Sequence, residues 1–543
     1  MNDDQIINCN KNGIHIFVGS NNVGKSRMLN ELEQLCRRKN DTNIIIKEIS
    51  IEQEGSEDDV VNDIRNFSQI KINNSSPLPT YIGFQYSLYE ESIKYDWRDA
   101  QTDGLKDTAS FFVLSADTVN RITSSNPPQN IDFATQGPNH PIHLLVQNES
   151  LMEKLNTYFK QAFNQDLILN YRAGNIIPLH VGQPPNKEGN EDRVSDSFVK
   201  KLNQLPRLEA QGDGMRAFVG ILLTLLCTPQ QIIFIDEPEA FLHPPQAKLL
   251  GEILAQNNIE KQLFVSTHSI DFILGSLNGQ KEISITRINR KEDKNPTQNI
   301  EESKIRDIWG NPLLRFSNIL DGLFYKKVII CESESDSMFY QAVAYLEQNN
   351  YDTFFTNANG KGQIDKIIKA LKITGVETHT IIDIDILLDN KKLKKIWESL
   401  GGNWNDISEK YGIIKAYLDA TLKRPSREEI KEILQPFLDN TSETLNEEDI
   451  HILNMAISSS KESKLLKEKG FNIFDEKIRG NLDELNNLFI EKGLHLVPVG
   501  ELENFDSEIK EHGPSWTEKA LIKLKNGEEY REAKIFISGI INS

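Results

Sequence analysis

Cysteine is scarce and scattered in this chain. Its 543 residues include four, Cys9, Cys36, Cys227 and Cys331, with no CxxC spacing. That argues against a disulfide framework and a zinc site and fits a reducing compartment. Long apolar runs are missing too. The longest, residues 217–227, falls short of the roughly 18 residues a membrane span needs. The opening MNDDQIINCNKNG has no basic stretch followed by an apolar core, so no signal peptide is expected. The expectation is a cytoplasmic protein with no membrane partner.

Positive charge is also in deficit, with 61 Lys and Arg against 80 Asp and Glu and a net charge of −19. The long-range field repels phosphate, so binding a nucleic acid would need local basic surface. Three patches are candidates: Arg37-Arg38-Lys39, Lys391-Lys392 with Lys394-Lys395, and Lys423-Arg424. Each alone reads first as an ordinary solvated helix face, and the middle patch is the preferred candidate because it closely follows Asp383-Ile384-Asp385. What is present is ample apolar content, 38%, enough for the cores of several domains.

Residues 14–18 read as a short apolar strand and 25–38 as a helix. Between them Gly19-Ser20-Asn21-Asn22-Val23-Gly24-Lys25-Ser26 is a full G-x-x-x-x-G-K-[ST] phosphate loop. Gly19 and Gly24, with Asn21 and Asn22, let backbone N–H groups approach phosphates. Lys25 neutralises the β/γ oxygens and the Ser26 hydroxyl ligates Mg²⁺. Residues 44–51 look like another strand. From 73 to 185 the pattern is irregular, with Pro, Asn and Ser clusters, and is expected to form an arm and a dimerisation insert. Within it residues 151–163 read as an amphipathic helix able to pair subunits.

Regular alternation returns with a helix over 215–227 and a strand over 231–235, followed by Asp236-Glu237-Pro238. A helix over 245–256 and a strand over 262–266 then lead to Ser266-Thr267-His268-Ser269. Asp236 at a strand end would hold Mg²⁺ through water, and Glu237 would orient and deprotonate the attacking water. His268 fits a switch residue contacting the γ-phosphate. Gln211-Gly212-Asp213-Gly214 stands where ABC-type ATPases carry their signature loop. Gln211 replaces the usual Ser and Asp213 a Gly, so a plain helix-start turn stays open. As a signature, Gly212 and Gly214 would complete the ATP site of a second subunit. Gln85 is a candidate metal-sensing glutamine.

A second α/β unit begins at Val328. One strand ends in Cys331-Glu332 and another, 379–385, ends in Asp383-Ile384-Asp385. In a parallel sheet ligand sites gather at the carboxyl ends of strands. Asp383 and Asp385 point the same way if the strand extends that far. A phosphodiester transition state gathers charge that one or two divalent ions stabilise best, and hard carboxylates suit Mg²⁺. Each acid alone could equally be a cap or turn-former. Asp389 is a further candidate ligand.

This unit resembles a Toprim domain in residues 328–336, in Asn359-Gly360-Lys361-Gly362 and in 379–385. Ser333 departs from the usual Gly after the strand-end Glu. The resemblance implies Glu332 as metal ligand or general base and Asp383 and Asp385 as Mg²⁺ ligands. Glu503-Asn504-Phe505 is similar to a sequence near the end of Toprim domains in ATP-linked nucleases. Glu503 is therefore expected as a ligand, with Glu501 as the fallback. For a lysine to neutralise the scissile phosphate, Lys519 and Lys361 are both candidates.

An ABC-type P-loop ATPase head followed by a Toprim α/β domain with a helical insertion resembles the overcoming-lysogenization-defect (OLD) family of nucleases. The expected domains are 1–320, 326–505 with an insert over 391–490, and a helical extension over 506–543. The resemblance implies ATP and Mg²⁺, with Mn²⁺ able to serve the nuclease site. It also implies a DNA substrate and a homodimer or higher oligomer through the heads. That family includes anti-phage effectors such as Gabija and some retrons. A partner would then be a reverse transcriptase with its RNA–DNA, or a helicase. Two other functions fit the same residues: a DNA-repair or chromosome-binding ATPase whose Toprim-like unit does not cleave, and a toxin-like RNA or tRNA nuclease.

Overall fold

Short apolar runs ending in Gly, Asp or Ser build the sheet of the first unit. Its strands are β1 (Ile14–Val18), β2 (Val113–Ala116), β3 (Ile232–Asp236), β4 (Gln262–Ser266), β5 (Ile283–Ile288) and β6 (Thr297–Ile300). Their order is β6-β5-β1-β4-β3-β2, parallel except for β6. All five residues of β1 are buried, as expected of a parallel strand covered on both faces. Phe264 on β4 stacks on Phe234 of β3 at 5.1 Å and on Phe17 of β1 at 6.5 Å. The register pairs Phe17 with Ser266 and Ser266 with Asp236. The phosphate loop, the acidic pair and the switch histidine therefore leave the same edge of the sheet.

The computed structural model describes residues 5–543 apart from 39–42, 74–75, 173, 187–191, 257–258, 291–293, 311–317, 349–350, 423–425, 441–443 and 460–462. Lys39, Lys423 and Arg424 of the basic patches lie outside the described residues. The chain divides into two units, Met1–Asp307 and Ile308–Ser543. Ile308 onward thus groups with the second unit, where the sequence reading carried the first domain to residue 320. Asn318, for instance, accepts a hydrogen bond from the Thr356 hydroxyl at 3.1 Å. Among the described residues no helix is long and apolar enough to cross a membrane.

Two expectations fail in the first unit. Residues 44–51 form no strand. The N–H groups of Ile44, Ile45 and Ile46 donate to the Glu31 carboxylate at 3.0, 2.9 and 3.0 Å, which replaces the ladder partners a strand would need. Burial opposes the Glu31 charge, but these three donors and Arg27 hold its carboxyl below the usual range. Between 73 and 185 the chain is far from irregular. It carries the antiparallel strands Ser76–Gly83 and Tyr86–Tyr89, several helices, and the strand pair Asp166–Leu169 and Leu179–Gly182. The polar clusters that hid this order are caps. Asp117, His140 and Asn148 each accept a backbone N–H at a helix start.

The helix Glu149–Phe163 buries Met152, Leu155, Tyr158 and Phe159. Phe163 meets Phe218 edge-on at 5.4 Å, and the Tyr158 hydroxyl donates to Gln256 at 2.6 Å. The face expected to pair subunits is occupied inside its own unit.

Among the described residues the second unit has four parallel strands, β7 (Lys327–Cys331), β8 (Thr353–Asn357), β9 (Glu377–Ile382) and β10 (Leu494–Leu496), in the order β8-β7-β9-β10. The stretch between β9 and β10 is a helical insertion that includes Asn390–Ser399, Trp404–Thr421, Ser463–Lys469 and Glu476–Glu491. Lys391, Lys392, Lys394 and Lys395 stand on the exposed face of the first of these helices, whose Leu393, Ile396 and Trp397 are buried. The C-terminal helices Pro514–Lys525 and Arg531–Asn542 close the core, with Phe339 against Trp516 and Tyr530 at 5.1 and 5.2 Å.

Candidate functional site

Gly19 opens the phosphate loop at the end of β1 with φ +149°, where a Cβ would lie 2.3 Å from the Ile288 carbonyl oxygen. Lys25 starts the helix Lys25–Arg37 and donates to the Gly19 and Ser20 carbonyls at 3.0 Å each. Burial lowers its ammonium to about 8, against the attraction of Glu237, Asp236 and Glu239. Asn21 and Asn22 lie exposed at the loop tip. The Ser26 hydroxyl donates to Asp236 Oδ1 at 3.1 Å, and the Ser266 hydroxyl donates to the same oxygen. Serine and aspartate are thus already paired where a Mg²⁺ shared by the two would sit. His268 Nε2 is 3.7 Å from Glu237 Oε1. Burial, reinforced by the Lys25 charge, brings the imidazole down to about 4, so the ring is neutral near pH 7.

Two residues of this edge carried no signal in the sequence. Arg121, fully buried on the helix Thr118–Ser124, donates to the Asp236 and Glu237 carbonyls at 2.8 and 2.9 Å. Glu237 itself has φ 49°, a left-handed backbone uncommon outside glycine, which this clamp holds. Glu239 accepts the His268 N–H at 2.7 Å, and burial pushes its carboxyl up. Arg121→Met should destabilise the first unit by about 3 kcal/mol, since it removes the two charge-assisted hydrogen bonds that a fully buried guanidinium makes to main-chain carbonyls. Denaturant unfolding would measure it, and a loss under about 0.5 kcal/mol, the range of neutral surface changes, would refute the clamp.

Gly212 caps the helix Asp213–Cys227, and Gly212 and Asp213 are exposed. Asp213 pairs with Arg216 of its own helix at 3.0 Å. Gly214 lies under the Phe241 carbonyl, 2.6 Å from where a Cβ would be. This helix start offers free N–H groups to solvent, as a plain turn or a signature equally would. Gln85 sits exposed in the hairpin turn before Tyr86, lining an open cleft of about 750 Å³ with Arg37, Arg38 and Lys106.

In the second unit β7 and β9 are neighbours in register, Ile330 beside Thr380. Glu332 Oε1 accepts the Asp383 N–H at 2.8 Å. β9 ends at Ile382 and turns into a 3₁₀ segment, Ile384–Leu388. Strand alternation therefore does not align the two aspartates, and the turn brings Asp385 back instead. Carboxylate oxygens of Glu332, Asp383 and Asp385 lie within 4.8 Å of one another. Lys361 contacts Asp385 and lies 3.3 Å from Glu332. Lys467 lies 2.8 Å from Asp383 and 3.0 Å from Glu501. Burial and then the Asp383 charge push the Glu332 carboxyl up, and burial pushes Asp383 up.

Four carboxylates (Glu332, Asp383, Asp385, Glu501) thus face two ammonium groups (Lys361, Lys467). A divalent cation would balance the two excess charges and keep every carboxylate ionised. The all-oxygen donor set fits Mg²⁺ or Mn²⁺. The departure at Ser333 is accommodated by a reciprocal cap. Its hydroxyl accepts the Asp336 N–H at 3.2 Å, and Asp336 accepts the Ser333 N–H at 2.8 Å.

Other expected residues fall elsewhere. Glu503 groups with Glu501 and His512 in a separate set of donors within 4.8 Å, and it accepts the Gly513 N–H at 2.9 Å. Glu501, the fallback, is the one linked to Asp383 through Lys467. Asp389 caps the helix Asn390–Ser399 by accepting the Lys392 N–H at 3.0 Å. Lys519 is exposed and paired with Glu511, because its helix turns it to solvent while Trp516 and Ala520 face the core. The lysines at the carboxylates are Lys361 and Lys467, and sequence reading missed the second.

This fold is a P-loop ATPase head followed by a Toprim-type α/β unit. Residues 14–275 match the family model described as "AAA domain, putative AbiEii toxin, Type IV TA system". Residues 323–385 match "Overcoming lysogenization defect protein-like, TOPRIM domain", a span that takes in Glu332, Asp383 and Asp385. The Old nuclease of Escherichia phage P2 is 25% identical over 166 residues, 29% of this chain and 28% of that protein's length. Together these matches support an OLD-family ATPase–Toprim protein. Among solved structures, the SMC head domain from Thermotoga maritima is 12% identical over 54% of this chain and 92% of its own, with a TM-score of 0.27. An Smc head bound to the C-winged helix domain of ScpA is 12% identical over 55% and 94%, with a TM-score of 0.31.

Proposed function

We propose that the protein is an ATP-regulated, Mg²⁺-dependent DNA endonuclease of the cytoplasm that serves as an effector of anti-phage defence. One observation carries the nuclease reading. Glu332, Asp383 and Asp385 converge at the carboxyl ends of parallel strands with more negative charge than their lysines balance. Such a set holds metal where a phosphodiester oxygen must be stabilised. The defence role is supported by the OLD-family resemblance. At the phosphate loop, Lys25 and Ser26 would bind ATP–Mg²⁺ with Asp236, while Glu237 orients water and the neutral His268 meets the γ-phosphate. The exposed start of the helix Asp213–Cys227, with Gly212 and Gly214, would complete the ATP site of a second copy. ATP would then close a homodimer and control access to the carboxylates without driving the cut.

Lys25→Ala should lose nucleotide binding altogether, as read by fluorescent ATP-analogue titration. The change it produces in DNA cutting gives the direction of coupling. The central test is nicking of supercoiled plasmid by pure protein with Mg²⁺ or Mn²⁺, with and without ATP, and with total RNA assayed in parallel. Metal-dependent nicking is expected. DNA binding without cleavage would point to a repair or chromosome-binding ATPase, and preferential RNA cleavage to a toxin-like nuclease.

A further inference from the structure

Lys467 belongs to the helical insertion, outside the four-stranded sheet whose strand ends carry the acidic residues. Its helix, Ser463–Lys469, anchors through the fully buried Leu466 and packs on the turn Ile384–Leu388 that holds Asp385. The main chain at Lys467 is fixed from the other side. Asn504 Nδ2 donates to the Lys467 carbonyl at 2.6 Å and to the Val499 carbonyl at 2.8 Å. Gly500 leaves no gap, since a Cβ there would lie 1.8 Å from the Lys467 oxygen. With its backbone held on both sides, the side chain reaches Asp383 Oδ2 at 2.8 Å, Glu501 Oε2 at 3.0 Å and Asp385 Oδ2 at 4.0 Å. Three carboxylates from two separate loops thus converge on one ammonium group. Burial opposes its charge, yet Asp383, Asp385 and Glu501 together drive the Lys467 pKa up.

We infer that Lys467 is a tethered counter-ion of the carboxylate cluster, which a divalent cation displaces from Asp383 and Glu501 when it loads. This rests on the metal-site reading above and adds a regulatory element to it, because a residue of the insertion competes with the metal. A point charge on a flexible stem suits that exchange. Lys361 approaches from the loop before the helix Ile364–Thr374 and keeps Asp385 and Glu332 partnered while Lys467 withdraws.

Mn²⁺ binding to nucleotide-free protein, followed by the loss of the free-ion electron paramagnetic resonance signal, tests the exchange. Lys467→Met keeps the stem and removes the charge, and it should bind Mn²⁺ about tenfold tighter than the unmodified chain, the scale of one charge-assisted hydrogen bond no longer competing. Unchanged or weaker affinity, with Asp383→Asn still abolishing binding, would overturn the displacement and leave the metal site standing. If Asp383→Asn left Mn²⁺ binding intact, the metal-site reading would fall and the displacement with it. A second measurement needs no variant. Amine acylation of Lys467, read by peptide mass spectrometry, should rise when Mn²⁺ is added, because the freed side chain reaches solvent. A fall or no change would overturn the inference.

Discussion

Asp383→Asn is expected to lower plasmid nicking on the order of 10²–10³-fold or more, while ATP binding stays as it was. The substitution conserves shape and removes one negative charge from the centre of the cluster. Asp383 stands at its centre: its N–H donates to Glu332, its carboxylate receives Lys467, and its oxygens lie among those of Glu332 and Asp385. A metal held there would lose both a ligand and the charge that fixes its place. Mg²⁺ or Mn²⁺ should raise the melting temperature of the parent protein and not that of the variant, since a ligand stabilises only the state that binds it. Full nicking by Asp383→Asn would remove the carboxylates from the chemistry.

Glu237→Gln is the second large effect. ATP should still bind, because the loop, Lys25 and Ser26 are untouched, and turnover should drop by about 10²–10⁴-fold, the contribution of a positioned general base. Glu237 suits the role because β3 ends at Asp236 and Arg121 clamps the carbonyls of Asp236 and Glu237. That clamp fixes the carboxylate without touching it. The arrested variant should accumulate the ATP-bound dimer, visible as an ATP-dependent shift in light-scattering mass. Unimpaired hydrolysis would move the base elsewhere, and a monomer under saturating ATP would separate hydrolysis from association.

The phosphate loop, the acidic strand end and the Glu and Asp-x-Asp strands were legible because each is contiguous and its spacing is set by one strand and one turn. Lys467 and Arg121 were not. Arg121 reaches its partners across 115 and 116 residues of chain, Lys467 reaches Asp383 across 84 and Glu501 across 34, and neither Leu-Leu-Lys-Glu-Lys nor Val-Asn-Arg-Ile distinguishes that residue from any other on a helix. The strand expected at 44–51 failed for a related reason. The backbone donors at its start, those of Ile44, Ile45 and Ile46, are taken by the Glu31 carboxylate on the preceding helix. Glu501 and Glu503 sit two residues apart, and which one joins Asp383 is decided by Lys467, not by local pattern.

The core behind the strand that carries Glu332 is built from opposite ends of its unit. Lys327 donates to the Ile540 and Ile541 carbonyls at 2.9 and 3.1 Å, and Trp516, Ile537 and Ile540 pack in the same core as Ile329 and Cys331. Roughly two hundred residues separate these partners, so the strand finds its covering only after a long stretch of later chain has been made and closed. A chain emerging from the ribosome therefore carries Glu332 and Asp383 well before it can bury the strand that leads into Glu332. The carboxylate centre is thus expected to take its final form only after residues 516–541 have been made.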